Sequence, residues 1–238
     1  MTSTTSNSYF WSGIRDSTPF IFVVVPFGVL FGVLATEAGL SLVETMTFTM
    51  TVFAGAAQFT ALQLMQENSP TFVILASALA VNLRVAMYSA SLTPYLGGAP
   101  LWQRALAAYF TVDQSYALSV TRFETAPDMS VPQRMGYFAG TVALIAPLWY
   151  LATFGGAVMG TTIPESWALD FALPLAFLAM VAPMLRTPAH VVAALVSITT
   201  AILAAGLPYN LGLLVAGFAG MVAGAQAELW LKRREASS

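Results

Sequence analysis

The sequence has no cysteine, a single histidine (His190) and few charged residues, which make up 8% of its 238 residues. Without cysteine the chain can form neither a disulfide nor a thiolate metal site or nucleophile. One histidine also argues against histidine-based metal binding, so we predict no metal and no cofactor. The longest basic run is Lys232-Arg233-Arg234 and the net charge is −2, which leaves no footprint for nucleic acid.

Apolar residues are abundant instead. They account for 58% of the chain, and the mean hydropathy is +0.75. A single core of this chain length could not bury so much apolar surface, so the surplus must face lipid. The sequence therefore predicts an integral membrane protein whose partners are lipid, protein and a small solute.

Eight apolar segments approach the ~20 residues that a spanning helix requires. The segments are 18–37, 43–66, 70–92, 103–120, 135–160, 169–186, 188–205 and 209–231. The fourth segment carries Asp113 and Gln114 in its middle, and a hydropathy window that skips it gives seven. We predict an all-α polytopic membrane protein, a bundle of about eight transmembrane helices, with several of them kinked or broken at proline or glycine.

The basic residues predict the orientation, because cytoplasmic loops collect Lys and Arg. With eight spans and a cytoplasmic N-terminus, the only basic residue in an exterior loop is Arg104, while Arg84 falls inside a span. The residues predicted to be cytoplasmic are Arg15, Arg122, Arg134, Arg186, Lys232, Arg233 and Arg234. The predicted organisation is a cytoplasmic tail over 1–17, one transmembrane helical domain over 18–231 and a basic cytoplasmic tail over 232–238.

Two charged residues, Arg84 and Asp113, fall within apolar segments. An ionised group in hydrocarbon costs at least ~2.5 kcal/mol on insertion scales, so both side chains should face the interior of the bundle. Their opposite signs predict an ion pair between spans three and four. Such a pair could serve only to hold the two spans together. Alternatively, Arg84 could receive a substrate carboxylate and Asp113 an ammonium group or a coupling proton.

Helical spacing adds further polar side chains to each span. Ser77, Arg84, Tyr88 and Ser91 form one stripe on span three, and Tyr109, Asp113 and Tyr116 form another on span four. Thr47, Thr51, Ala54 and Gln58 form a small and polar stripe on span two. Asn82 lies on the opposite helix face from Arg84, and a local helix break near Asn82 would be needed to bring both into one cavity. Close helix contact with a bonded amide explains Gln58 and Asn82 equally well.

Backbone-permissive residues mark two more candidate positions. Pro26, Phe27 and Gly28 predict a helix break in span one, whose new half-helix start would attract a carboxylate. Gly55 and the small residues beside it make room near Gln58, and nearby phenylalanines could line a pocket for an aliphatic side chain. Gly-xxx-Gly pairs such as Gly28/Gly32 and Gly156/Gly160 predict close helix packing.

Several strings from Gly13 to Leu118 together resemble one known family. They are Gly13-Ile14-Arg15 with Pro19, Pro26-Phe27-Gly28 with Phe31-Gly32, the segment 53–59, Asn82-Leu83-Arg84 with the segment 87–92, and Thr111-Val112-Asp113-Gln114. In this order they resemble the AzlC-type branched-chain amino-acid permease family, the large subunit of the AzlC/AzlD two-component amino-acid exporters. That family usually carries an acidic pair where this chain has Asp113-Gln114, so the resemblance leaves Asp113 as the candidate proton carrier.

The resemblance implies a secondary transporter that exports valine, leucine and isoleucine across a bacterial inner membrane, with methionine as a further candidate substrate. It also implies proton coupling and a small AzlD-type hydrophobic membrane subunit as partner. An enzyme is not predicted, because His190 lies beside Pro188 with neither a nucleophile nor a carboxylate pair near it in sequence. A solute channel, or a structural subunit of a membrane complex, is the alternative.

Overall fold

A computed structural model describes residues 6–160, 185, 187–207 and 211–235. Every regular element in these ranges is helical. The fold class predicted from the sequence, an all-α polytopic membrane protein, is confirmed. Four helical stretches are long and apolar enough to cross a membrane: Ser8–Glu37, Thr71–Leu96, Val131–Gly160 and Leu211–Arg234. The predicted span over 169–186 lies almost entirely outside the described residues.

Ten α-helices are described, and a short 3₁₀ turn, Thr18–Phe20, joins the first two. They are α1 (Ser6–Ser17), α2 (Ile21–Glu37), α3 (Leu42–Thr51), α4 (Gly55–Gln66), α5 (Thr71–Leu96), α6 (Leu101–Tyr109), α7 (Asp113–Thr125), α8 (Val131–Gly160), α9 (Pro188–Leu203) and α10 (Leu211–Glu235). They pack as two compact units, a larger one of Met1–Phe59 with Val81–Trp167 and a smaller one of Thr60–Ala80 with Ala168–Ser238.

The frame of the larger unit is a parallel pair, in which α1 and α2 run along α8. Glycines set the close approach: a Cβ on Gly13 would lie 2.2 Å from the Tyr137 carbonyl oxygen, and one on Gly32 would lie 2.1 Å from that of Thr153. The contact is reciprocal, because a Cβ on Gly156 would lie 2.1 Å from the Val29 carbonyl oxygen. Small residues thus allow backbone-to-backbone packing, which drives helix association in lipid. The close packing expected of these glycines is confirmed.

The helices α3 and α4 form a hairpin rather than one span. A capping box between Ser41 and Glu44 starts α3, which returns along α8 from the end where α2 stops. The chain breaks at 52–54 and then folds back, since Phe31 touches both Phe48 and Phe59, at ring-centroid distances of 5.8 and 5.7 Å. A straight helix would place those two rings ~16 Å apart along its axis.

The helices α6 and α7 form a second hairpin, which enters from the opposite end of the unit. Gly98, just before α6, lies against Val131 at the start of α8, with 3.3 Å between its ideal Cβ and the Val131 side chain. Phe123, near the end of α7, returns to that same end of α8, with its ring 6.2 Å from the Tyr137 ring. Between these points the chain reaches Tyr109, whose hydroxyl lies 3.2 Å from that of Tyr150, and then breaks at 110–112.

These hairpins correct part of the sequence-based topology. Continuous spans over 43–66 and 103–120 are wrong, because each segment is two short helices that turn back in the middle. Arg104, the predicted exterior exception, lies on a helix that begins at the α8 N-terminal end, where Arg122 and Arg134 also lie. The prediction failed because hydropathy records how apolar a segment is and carries no information on whether it crosses.

Helix breaks do not fall at the prolines in the described helices. Pro26, Pro94 and Pro147 all lie within continuous helices. The breaks at 52–54 and 110–112 contain no proline, and glycine adjoins only the first, at Gly55. A proline's missing hydrogen bond is tolerated in a membrane helix where neighbouring groups satisfy the freed carbonyl.

In the smaller unit, α9 and α10 pack closely through small residues. A Cβ on Gly220 would lie 2.9 Å from the Ser197 Cβ, and one on Gly224 would lie 2.9 Å from the Ala193 Cβ. The helix α9 begins with Pro188 in its first turn, and the His190 amide donates to the Thr187 hydroxyl. The predicted spans over 188–205 and 209–231 are therefore both helical.

Candidate functional site

Arg84 and Asp113 form the ion pair expected from the sequence. The Arg84 Nη1 lies 3.1 Å from the Asp113 Oδ2, and the two side chains are 21% and 36% exposed. Arg84 comes from the middle of α5, whereas Asp113 is the first residue of α7. A helix N-terminus attracts negative charge, so the backbone of α7 adds to the attraction that Arg84 exerts on the carboxylate. The pair therefore lies at the tip of the second hairpin.

Tyr88 and Tyr116 complete this cluster. The Tyr88 hydroxyl donates to the second carboxylate oxygen of Asp113, over 2.8 Å, and the Tyr88 ring stacks on the Tyr116 ring at 4.2 Å. The Tyr116 hydroxyl in turn donates to the Ser91 hydroxyl, over 3.1 Å. The helices α5 and α7 run parallel, which brings the stripes predicted on spans three and four together at these four residues.

The Arg84 guanidinium keeps one group unused. Its Nε is buried and has no hydrogen-bond partner among the described residues. A guanidinium presents five N–H groups in a planar fork, so an ion pair through a single nitrogen leaves donors for another acceptor. The guanidinium therefore retains donors beyond the one that it uses for Asp113.

The break before Asp113 is held by hydroxyl groups. The Thr111 hydroxyl donates to the Ala107 carbonyl, over 2.6 Å, and the Val112 amide donates to the Ser115 hydroxyl, over 2.9 Å. These bonds satisfy backbone groups at the end of α6 and the start of α7. The first intrahelical amide of α7 is that of Tyr116, which donates to the Val112 carbonyl. The amides before Tyr116 lie at the N-terminus of α7, beside the ion pair, and such a position is suited to an anion.

Gln58 plays the corresponding role in the first hairpin. It is fully buried, and its Nε2 donates to the Val52 carbonyl (2.6 Å) and the Thr49 hydroxyl (3.1 Å), on the other side of the break. The Trp149 indole donates to the same hydroxyl, over 2.8 Å. Gly55 lies directly against the Trp149 ring, at 3.0 Å from an ideal Cβ. This network fixes the hairpin tip to α8.

The two hairpin tips meet in an aromatic cluster. The ring of Phe53, at the first break, lies 5.5 Å from that of Phe110, at the second, and 5.5 Å from that of Tyr150. The Tyr109 ring stacks on Phe53 at 6.1 Å, and its hydroxyl donates to the Met50 carbonyl. Two half-length helices from each end therefore meet at one apolar contact.

Other predicted site residues lie apart from the ion pair. The helix α5 is continuous through Asn82, so the local break that would bring Asn82 beside Arg84 is absent and Asn82 keeps the opposite face. Gln114 follows Asp113 and is half-buried. The half-helix start expected at Pro26 is also wrong, because α2 continues through it. Phe27 packs on Phe59 at 6.3 Å.

Two further expectations change for geometric reasons. Gly28 contacts the Ala152 side chain and the Trp149 carbonyl, which gives it a packing role between α2 and α8. The polar stripe expected on span two is displaced, because Thr45 and Thr49 are buried with Gln58 while Thr47 and Thr51 are exposed. A helical wheel drawn through the break assigns the wrong phase to the residues before it.

Sequence reasoning missed the role of the residues that build the hairpin tips: it named Phe53 only as a candidate pocket wall and did not single out Phe110 or Trp149. Phe53 and Phe110 lie inside apolar segments, and Trp149 looks like ordinary core. One signal was available: Thr51-Val52 and Thr111-Val112 pair β-branched residues, which are weak helix formers, at the middle of segments 43–66 and 103–120. A break at those positions leaves halves too short to span a bilayer.

Comparisons with known proteins relate the chain to membrane proteins. Residues 19–163, more than half of the chain, match the AzlC protein family. An uncharacterized membrane protein of Archaeoglobus fulgidus is 27% identical over 194 residues, covering 78% of this chain and 80% of the relative. The inner membrane protein YgaZ of Escherichia coli is 25% identical over 177 residues, covering 71% and 70%. No solved structure matches the chain.

The matched region begins just before α2 and ends just after α8. It therefore contains both hairpins, their tips and the Arg84–Asp113 pair. The extent of this match shows that the chain belongs to the AzlC family of membrane proteins.

Proposed function

We propose that this protein is a secondary transporter that exports amino acids with aliphatic side chains, namely valine, leucine, isoleucine and methionine. The Arg84–Asp113 pair carries the proposal. A zwitterion offers a carboxylate and an ammonium group a short distance apart, which are complementary to a paired guanidinium and carboxylate. Substrate binding would then exchange one ion pair for two, with no net charge buried.

The surroundings of the pair favour this substrate class. The amides at the start of α7 would add donors to a carboxylate near Arg84. Phe53, Phe110 and Tyr150 provide an apolar surface at the hairpin tips for an aliphatic side chain. Asp113, held by Tyr88, would receive the ammonium group or, after protonation, couple export to a proton gradient.

The hairpins also support a proposal for orientation. Both ends of the second hairpin lie at the α8 N-terminal end, so Arg104 joins Arg122 and Arg134 there. With that end in the cytoplasm, no basic residue outside the membrane falls on the exterior side. If segment 169–186 crosses, the chain has six crossings and two re-entrant hairpins, and both termini are cytoplasmic in a bacterial inner membrane.

A small AzlD-type membrane subunit remains the proposed partner. Lipid-facing positions of α5 are strongly exposed in the isolated chain, with Leu83 at 57% and Met87 at 66%. Both lie on the same helix that carries Arg84. Reconstitution with and without such a partner would show whether the chain needs it for transport.

Efflux from proteoliposomes tests the proposal. Vesicles containing this chain, alone and with the small subunit, are preloaded with labelled valine, leucine, isoleucine or methionine, and efflux is followed under an imposed pH gradient. We expect saturable efflux that Arg84→Ala reduces at least tenfold. The matched control is Arg104→Ala, since Arg104 is exposed on α6 and forms no ion pair within the described residues.

The outcomes separate the proposal from its alternatives. Conductance that does not saturate with solute concentration would indicate a channel. A loss that follows only the amount of folded protein, with normal efflux per folded molecule in Arg84→Ala, would indicate a purely structural ion pair. Absence of efflux of all four amino acids from folded complexes would reject the substrate class.

A further inference from the structure

Three fully buried oxygen atoms, two in the first hairpin and one on α8, have no hydrogen-bond partner among the described residues. The Gln58 Oε1, the Thr45 Oγ1 and the Thr153 Oγ1 each have no hydrogen-bond partner within the described structure, and all three residues are 0% exposed. Burying an unbonded amide or hydroxyl is costly, so such atoms usually indicate a bound water or ion. Three of them in one region call for a shared explanation.

Helical spacing relates the three side chains to the Thr49 hydroxyl. Thr45 lies one turn before Thr49 on α3, on the same face. Thr153 lies one turn after Trp149 on α8, and Trp149 bonds Thr49 directly. Because α3 and α8 run antiparallel, Thr45 and Thr153 lie in the same direction from the Trp149–Thr49 hydrogen bond. Gln58 approaches Thr49 from α4, over 3.1 Å.

The orientation of the Gln58 carboxamide is fixed by its neighbours. Its nitrogen donates to the Val52 carbonyl, which can only accept. A flipped amide would place two oxygen atoms against each other at 2.6 Å. Thr49 already accepts from both Gln58 and Trp149, which uses both of its acceptor positions. The Gln58 Oε1 therefore remains an acceptor with no donor.

The chemistry of this cluster selects a small class of ligands. Its free groups are neutral oxygens, the ligand type preferred by hard cations, and it contains no carboxylate to offset a double charge. The Phe31 ring packs against both Phe48 and Phe59, one from each helix of the hairpin, and the three oxygen-bearing residues are 0% exposed, so bulk water does not reach the cluster. A single dehydrated monovalent cation matches both features.

We propose that the first hairpin binds one monovalent cation, with Na⁺ as the probe, through Gln58, Thr45 and Thr153. The cation would connect α3, α4 and α8 and hold the hairpin tip in its present position. The site is distinct from the Arg84–Asp113 pair, and its test measures binding without substrate. Failure of the transport proposal would therefore leave this one standing, and the reverse also holds.

Thermal unfolding of the purified full chain tests the site. NaCl is titrated against choline chloride at constant ionic strength, with KCl as a second comparison. We expect Na⁺ to raise the unfolding midpoint in proportion to the logarithm of its concentration above the dissociation constant, by about 3 °C at ten times that constant. In Thr45→Val and Thr153→Val, which keep side-chain shape, the same rise should need at least tenfold more Na⁺.

Thr51→Val is the matched control, because Thr51 lies on the same helix with its hydroxyl exposed and bonded to the Thr47 carbonyl. It should respond to Na⁺ as the unaltered chain does. Each variant is compared with itself in choline, so a change in basal stability does not affect the result. An unfolding midpoint that does not change with Na⁺ concentration, as expected for a trapped water, would overturn the proposal. An equal response in all variants would also overturn it.

Discussion

Phe53 and Phe110 touch at the tips of two hairpins that enter the larger unit from opposite ends, with 5.5 Å between their ring centroids. Phe53 is only 8% exposed. Each ring lies in a three-residue break, where a helix would otherwise carry the chain onward. The contact therefore joins the two hairpins at the point where the backbone is least regular.

Replacing Phe53 by alanine should open this contact. The variant loses three aromatic neighbours, each worth about 0.5–1.5 kcal/mol beyond burial, and leaves a void between the tips. We expect passive leak of labelled valine from vesicles, without a pH gradient, to rise severalfold over that of the unaltered protein. Phe53→Leu fills most of the volume and serves as the control. Vesicles that stay equally tight with alanine would show that the closure lies elsewhere.

Neutralising the ion pair tests whether its members act together. Arg84→Gln alone leaves the Asp113 carboxylate partly buried and unpaired, and Asp113→Asn does the same to the guanidinium, so each should lower the amount of folded protein. The double variant should recover part of that amount, because no lone charge remains, while efflux stays absent. Folded yield and efflux per folded molecule are measured side by side. Additive losses in yield would argue that the two residues have separate roles.

Adjacent glycines on α8 provide a test of the parallel helix pair. Gly156→Ala places a methyl group 2.1 Å from the Val29 carbonyl and should lower the unfolding midpoint by several degrees. Gly155→Ala meets nothing within 4 Å and should leave the midpoint unchanged or raise it, since alanine favours helix by up to about 1 kcal/mol. Equal effects of the two substitutions would contradict the packing described for α2 and α8.

The absence of cysteine makes the topology directly testable. Leu101→Cys at the start of α6 and Asp128→Cys in the α7–α8 connection should react with a membrane-impermeant maleimide from the same side. Val43→Cys at the start of α3 should react from the other side. All three positions are exposed. If segments 43–66 and 103–120 both crossed, as the sequence predicted, Leu101→Cys and Val43→Cys would share a side and Asp128→Cys would react from the other. Labelling of intact and inside-out vesicles therefore distinguishes the two topologies.

The sequence was sufficient for the membrane class and for the central ion pair. Arg84 and Asp113 stand out because charge is costly in lipid, and helical spacing correctly joined Tyr88 to them. These inferences rest on local composition and on helical periodicity. They succeeded because the residues of each stripe belong to one continuous helix. The same reasoning predicted close packing at Gly32 and Gly156.

The two hairpins could not be predicted from composition and periodicity. Whether Phe59 continues away from Phe48 or folds back beside it depends on contacts with Phe31, which lies in another helix. The false helix break at Pro26 has a similar origin, because neighbouring elements decide whether a freed carbonyl is tolerated. The predicted spans differ from the observed fold because packing between distant segments, which the pattern of a single sequence does not encode, decides where a segment turns back.

The dependence of the first hairpin on α8 has a consequence for biogenesis. Its helices have 10 and 12 residues, too short to be inserted singly as spanning segments. The bond from Trp149 to Thr49 and the ring beside Gly55 come from α8, which the ribosome completes roughly one hundred residues later, about 5–20 s at ordinary elongation rates. Until then the Gln58 carboxamide lacks the α8 residues that surround it in the fold, and burying a polar amide in hydrocarbon without hydrogen bonds is costly. The order of synthesis therefore predicts that this hairpin stays at the membrane interface and enters the bilayer only after α8 has been inserted.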